Sequence, residues 1–262
     1  MVLDGIAKRN FLVIGRVGMD LSPDPPNTRT RDAENMLVAM GGSSANIAAG
    51  LVKFGCRAAL VTCVSDDAVG WYCENQLDAY GIDRRHVRRV RGEYRTSLAV
   101  YETRVEEHQS VIYRNNAADF QMSVEDVEAI DYTQYGALIT AGTVFAAEPS
   151  RAATFHAFDL AREAGLPIIF DVDYRPYSWP SPEVAEDVLS RAGALSDVIV
   201  GNEEEFGFMA GDMAKGLDKA LVVIESPARD KGTATLKVDN NLWNYLPKIS
   251  RTVRIPPSMM LN

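Results

Sequence analysis

Gly41-Gly42-Ser43-Ser44-Ala45-Asn46-Ile47-Ala48-Ala49-Gly50 is the stretch on which the reading of the fold turns. Two glycines stand ahead of two hydroxyl residues and a run of small residues at helical spacing. Glycine reaches backbone angles closed to other residues and lets a ligand approach the main chain. Ser43 or Ser44 is expected to cap a helix by accepting a bond from its first free N–H groups, which puts Asn46 in the first turn. Such a helix mouth offers free donors and the positive end of a dipole to an oxygen-rich or anionic ligand. Alone, the stretch favours the plainer reading, a tight turn into a closely packed helix, so its neighbours decide.

Those neighbours alternate. Phe11-Leu12-Val13-Ile14-Gly15 reads as a buried strand, with Asp20 expected just beyond its end. Ser22 to Thr30 is rich in Pro, Asn and Thr and reads as an irregular excursion, returning to the sheet near Met36–Met40. The small-residue helix runs to about Phe54, with Gly55 as its stop. Ala59 to Val64 is the next strand. Asp66-Asp67 caps a helix through Leu77 that Gly81 ends. Further on, Ala137–Gly142, Pro167–Asp173 and Asp197–Val200 read as strands. Helices start at Ser123, Pro149, Ser181-Pro182 and Asn202. This strand–helix rhythm predicts an α/β fold, a mostly parallel sheet covered by helices. It breaks once: Thr96–Glu102 and Ser110–Arg114 predict a β-hairpin standing apart from the sheet, placed to act as a lid over a site.

Composition narrows the function classes. The net charge of −9 over 262 residues argues against nucleic acid as a partner. The local basic run Arg84 to Arg91 reads as a solvated loop. Cys56, Cys63 and Cys73 are odd in number and lack metal-ligand spacing, which suits reduced, buried thiols in a cytoplasmic protein. No apolar run reaches membrane-spanning length and no signal-peptide pattern opens the chain, so no membrane partner is expected.

Ligands of open α/β sheets bind beyond the carboxyl ends of the strands. Asp20, Asp171, Asp173, Arg175, Asn202 and Glu205 all fall just after predicted strands. Each alone could cap a loop; together they predict one polar cleft.

With these residues in view, the chain resembles the ribokinase (PfkB) family of carbohydrate kinases. The resemblance rests on Gly41-Gly42-x-x-x-Asn46-x-Ala48, on Asp20, and on the inserted hairpin. It rests also on Asp171-Val172-Asp173-Tyr174-Arg175-Pro176 followed by Trp179, and on Asn202-x-x-Glu205. It implies a three-layer αβα core over residues 1–219, with lid strands near 95–116, and a divergent segment 220–262 completing part of the sheet. It implies ATP and Mg²⁺ as cofactors. The acceptor would be a sugar or sugar acid of the 5-dehydro-2-deoxygluconate or 2-keto-3-deoxygluconate type. Asp20, Gly41, Gly42, Asn46 and Asp173 would hold the substrate, with Tyr113 and Arg114 closing over it. Arg175 would pair with its carboxylate or with the transferring phosphate. Asn202 and Glu205 would sit with the nucleotide and Mg²⁺, Glu205 reaching the metal through water. An exposed strand pair such as the hairpin also offers a homodimer contact.

One departure stands out. Family members carry a downstream Gly-Ala-Gly-Asp segment that supplies the anion hole and the general base. Ala210-Gly211-Asp212 looks similar but follows the Asn-x-x-Glu helix too closely and lacks the first glycine, so no catalytic base is assigned. The chain therefore reads as a truncated or altered copy. A sugar-binding protein that has lost transfer is the alternative reading. A dinucleotide-binding oxidoreductase is disfavoured, because Gly15-Arg16-Val17-Gly18 lacks the Gly-x-Gly-x-x-Gly spacing ahead of a helix.

Overall fold

The structure is a computed structural model and describes residues 6, 8–104 and 106–209, together with strands 219–223, 234–238, 241–246 and 251–255. Its centre is a six-stranded, all-parallel sheet. The strands are β1 (Asn10–Ile14), β4 (Arg57–Ser65), β5 (Asp83–Val90), β8 (Ala137–Ala141), β9 (Ile168–Asp171) and β10 (Val198–Val200), in the order β10-β9-β8-β1-β4-β5. Helices α1 (Ser43–Lys53), α2 (Ala68–Tyr80), α3 (Val124–Glu128), α4 (Ser150–Glu163), α5 (Pro182–Ala194) and α6 (Glu203–Met209) alternate with them.

Side chains of a strand alternate between faces, so a sheet covered on both sides needs apolar residues at every position. Leu12 and Ile14 of β1, with Ala59, Val61 and Cys63 of β4, enter one core with Phe145, Phe158 and Phe170. Val13, Leu60 and Val64 enter the other, with Ala45 and Ala48 of α1 and Cys73 and Leu77 of α2. Two cores on opposite faces of one sheet make the three layers. Cys63 and Cys73 are buried and all three cysteines are free; burial pushes the Cys63 and Cys73 thiols up to about 12.

The helix signals read from sequence hold in the structure. Asp67 accepts from the Val69 and Gly70 N–H groups at the start of α2. Ser123 and Asp126 form a reciprocal capping box, and Ser181 accepts from the Val184 N–H with Pro182 next in the chain. At α1 the arrangement differs. Gly42 occupies the N-cap position without a side-chain cap. The Ser44 hydroxyl donates to the Ile14 carbonyl at 3.0 Å, and Ser43 lies 3.4 Å from the Thr143 hydroxyl. Both hydroxyls brace the helix against the sheet instead of capping it.

Four other readings are corrected. Asp20 lies inside a strand, β2 (Gly18–Asp24), which pairs antiparallel with β3 (Asn35–Gly41). The segment 22–40 therefore belongs to a second sheet, not to the main one. The hairpin β6 (Ser97–Tyr101) and β7 (Ser110–Tyr113) does form and stands apart from the parallel sheet, as expected, but it is not a separate lid: β6 pairs parallel with β2, giving the order β3-β2-β6-β7. The basic run is strand β5 at the edge of the main sheet. Its Arg84, Arg88 and Arg89 pair with Asp78, Asp126 and Glu74. Edge strands accept such charge because one side has no backbone partner to bury it against. Finally, where the C-terminal segment was expected to complete the main sheet, strands β11 (Lys219–Val223), β12 (Ala234–Val238), β13 (Asn241–Leu246) and β14 (Arg251–Ile255) pair with one another in an antiparallel sheet.

Candidate functional site

A cavity of about 240 Å³ opens over the carboxyl ends of the parallel strands. Arg16 reaches it from the end of β1, Thr143 from the turn after β8, and Asp173 and Arg175 from the turn after β9. Gly42, Ser43 and Asn46 contribute the mouth of α1; Asp20 enters from β2, and Ile112 and Arg114 from β7. Tyr177 and Ser178 complete the wall. The site thus sits between the two sheets.

Two glycines let these walls approach. A Cβ on Gly42, whose φ is +100°, would lie 2.4 Å from the Arg16 carbonyl oxygen. A Cβ on Gly41 would lie 1.9 Å from Asp20 Oδ1. Gly41 therefore does not line the cavity; it is the floor on which the Asp20 carboxylate rests. Behind Arg16, the Ser44 and Thr140 hydroxyls both donate to the Ile14 carbonyl and fix the exit of β1.

The charges are arranged in pairs, with one exception. Arg114 Nη2 donates to Asp119 Oδ2 and to the Thr143 carbonyl, while its guanidinium lies 4.1 Å from the centre of the Phe120 ring. Arg175 Nη2 lies 2.8 Å from Asp173 Oδ1. Asp173 has a φ of +36°, a left-handed conformation that Asp tolerates better than most residues. Arg16 has no carboxylate within ion-pair distance among the described residues; its Nη1 donates to the Ser97 hydroxyl at 3.1 Å. Burial pulls the Arg16 guanidinium below its ordinary value, and the neighbouring Arg114 charge adds to that. Burial raises the Asp20 carboxyl, opposed by the Arg16 charge.

Asn202 and Glu205 stand outside the cavity wall. They cap α6 reciprocally: Glu205 N–H donates to Asn202 Oδ1 at 2.9 Å, and Asn202 N–H to Glu205 Oε2 at 2.9 Å. The other Glu205 oxygen accepts the Tyr174 N–H at 3.0 Å, which anchors the turn carrying Asp173 and Arg175. The nearby Asp171 carboxyl is pushed up to about 6, by burial first and then by the charges of Asp173 and Glu205. Among the described residues no group of three or more His, Cys, Asp or Glu side chains is placed to hold a metal directly. Both Glu205 oxygens already accept backbone N–H groups, so the fit to Mg²⁺ is as an acceptor for its bound waters.

Of the residues singled out from sequence, the fold brings Asp20, Gly42, Asn46, Arg114, Asp173 and Arg175 to one cavity. Tyr113 is a correction: it alternates with Ile112 and Arg114 and is 60% exposed, away from the cavity. Ala210-Gly211-Asp212 lies outside the described residues. Arg16 and Thr143 were missed, although each follows a parallel strand, the same position that marks Asp173.

A parallel sheet covered on both faces, with a polar cavity over its carboxyl ends and a second sheet as one wall, defines an α/β protein of ribokinase-like architecture. β1 leads into β2 and not into a helix, which removes the dinucleotide-binding reading. The sequence model for pfkB family carbohydrate kinases matches residues 8–234. The chain belongs to that family. Residues 216–262 also match a second model, described as an uncharacterized protein. A 5-dehydro-2-deoxygluconokinase of Photobacterium profundum is 36% identical over 205 residues, 78% of this chain and 62% of its own length. One from Clostridium perfringens is 35% identical over 211 residues, 79% of this chain and 62% of its own length. The chain thus spans a little under two thirds of the length of these relatives. Among solved structures, the apo fructokinase from Vibrio cholerae O395 superposes with a TM-score of 0.73 at 23% identity, covering 89% of this chain and 79% of that one. The fructokinase with bound ATP from Xylella fastidiosa gives 0.74 at 20% identity, covering 95% and 78%. No described helix is long and apolar enough to cross a membrane.

Proposed function

We propose that the chain is an ATP-dependent sugar-acid kinase, with an acceptor of the 5-dehydro-2-deoxygluconate or 2-keto-3-deoxygluconate type. The observation that carries this is the cavity itself. Three guanidiniums, two carboxylates and an open helix mouth converge on a space suited to one monosaccharide, in a family of carbohydrate kinases. Asp20 and Asn46 would bond acceptor hydroxyls, and Gly42 lets the acceptor approach the main chain. Arg175, planar and half exposed, would pair with the acceptor's carboxylate or with the transferring phosphate. In the reaction, a hydroxyl oxygen of the acceptor forms a bond to the γ-phosphorus of ATP, the bond to the β-phosphate oxygen breaks, and ADP leaves. Positioning and charge neutralisation do most of such catalysis. Mg²⁺, when bound, supplies positive charge to the phosphates; Asn202 and Glu205 would hold its waters. The hydroxyl proton is released to water, since no described side chain is assigned as its acceptor.

A role in inositol catabolism goes with the first acceptor and a cytoplasmic location with ATP as donor. A homodimer through the outer face of β7 goes with the exposure of Val111 and Tyr113. The test is ADP release by the purified chain from ATP and Mg²⁺, with each sugar acid as acceptor. Acceptor-dependent ADP that Arg175→Ala abolishes supports the proposal; a folded chain that releases none with either acid refutes it.

A further inference from the structure

We infer that Arg16 is the receptor for the acid group of the acceptor, and so the residue that selects a sugar acid over a neutral sugar. The inference rests on the sugar-acid reading above and decides which arginine takes the carboxylate.

Three guanidiniums line the cavity, and two are already matched. Arg114 has Asp119, and Arg175 has Asp173. Arg16 has a single hydroxyl partner, Ser97, and its enclosed Nε meets no acceptor among the described residues. Asp119, Asp20 and Asp173 act on Arg16 from a distance, but none bonds it directly; a buried cation without a direct counter-ion or full hydrogen bonding is costly, and an unsatisfied buried group of that kind calls for a partner. Arg114 stands close enough to repel it, and Arg114 Nε and Nη1 are likewise enclosed without acceptors. An anion seated against the two guanidiniums would relieve the repulsion and satisfy the open donors. The planar fork of arginine matches a carboxylate through two parallel bonds.

Sheet order separates this end of the cavity from the transfer end. β1 lies two strands from β9 and three from β10, which is roughly 10 and 14 Å at the usual strand spacing. Asn202 and Glu205, proposed to stand with the nucleotide, follow β10, and Arg175 follows β9. A phosphoryl group arriving there meets Arg175, while the far end of the acceptor meets Arg16.

The test is calorimetric titration of the full chain with 2-keto-3-deoxygluconate and with fructose, for wild type, Arg16→Gln and Arg16→Lys. Wild type should favour the acid. Arg16→Gln should lower acid affinity about 10- to 100-fold and bring the acid-to-fructose ratio towards one, as expected for a lost charge-assisted bond. Arg16→Lys keeps the charge but not the fork and should fall between; it decides alone should the Gln variant not fold. A merely structural role for Arg16 would leave the ratio unmoved. Acid affinity unchanged in the variants overturns the assignment and leaves the kinase proposal standing. A wild-type chain that binds neither probe, or both equally, overturns the sugar-acid reading and this inference with it.

Discussion

Asp119→Asn is the substitution that weighs most heavily on the cavity without touching a ligand. Asp119 is 2% exposed and its partner, the Arg114 side chain, 7%. Removing one member of a buried ion pair leaves the other charge uncompensated, at a cost of about 3–5 kcal/mol. Here Arg114 keeps the Thr143 carbonyl and the Phe120 ring, and asparagine still offers a neutral acceptor, so the lower end applies: about 3 kcal/mol. For a chain of this size that is roughly 6–12 °C in Tm. Urea denaturation followed by circular dichroism measures it directly. The double variant Arg114→Met/Asp119→Asn removes both charges and should be more stable than Asp119→Asn by at least about 1 kcal/mol, the signature of coupled neighbours. A single variant within about 0.5 kcal/mol of wild type, the range of an ordinary surface substitution, would refute the claim that this pair is buried and coupled.

Two further outcomes follow from the same geometry. Gly41→Ala places a methyl 1.9 Å from Asp20 Oδ1 and 2.2 Å from its Cγ, so the carboxylate must move; acceptor affinity by calorimetry should fall about 10- to 100-fold, as for one lost bond to a charged group, and unchanged affinity would show that Asp20 does not touch the ligand. Asp171 is pushed up to about 6 in the fold, above its unfolded value, so the folded state holds the proton more tightly. The Asp171 contribution to stability is therefore fully present below its unfolded value of 3.8 and is lost as pH rises through about 6. Asp171→Asn should remove that loss, being more stable than wild type at pH 8 by up to about 3 kcal/mol and level with it near pH 4; a difference independent of pH, measured by denaturation at both values, would contradict the assigned cause.

The main sheet was legible because its cues are local. Apolar runs, caps at Asp67, Ser123 and Ser181, and glycine stops at Gly55 and Gly81 all act within a few residues, and each fell where expected. Of the second sheet the hairpin β6–β7 was legible; its pairing with β2 and β3 was not, because that signal is non-local. Ser22-Pro23-Asp24-Pro25-Pro26 looks like a loop, yet Ser22, Pro23 and Asp24 end β2 and pair with Leu37, Met36 and Asn35. The partner of β2 on its other side, β6, lies far along the chain. Strand β5 was missed for a related reason: the carboxylates that pair its arginines come from α2 and α3, and only the fold brings them together. At the site, position after a strand found Asp173 and Arg175. It could not separate Arg175, which a carboxylate bonds directly, from Arg16, which none does, since pairing is a property of three dimensions.

The seam between β2 and β6 has a consequence for how this chain tolerates insertions and deletions. It consists of four residue pairs, Gly18–Ser97 to Leu21–Val100, and beyond it the two excursions meet again where the Asn27 and Thr30 N–H groups donate to the Thr103 hydroxyl and the Glu102 carboxylate. Because side chains alternate along a strand, one residue added or lost between Gly18 and Asp20 would turn Asp20 to the opposite face and take it out of the cavity. An added pair would restore its face but shift it along the seam by two positions. Length change is thus forbidden in the three positions that set the phase of Asp20, while in the connections 25–34 and 102–109 it would cost the bonds that tie Thr30 and Gln109 to Glu102.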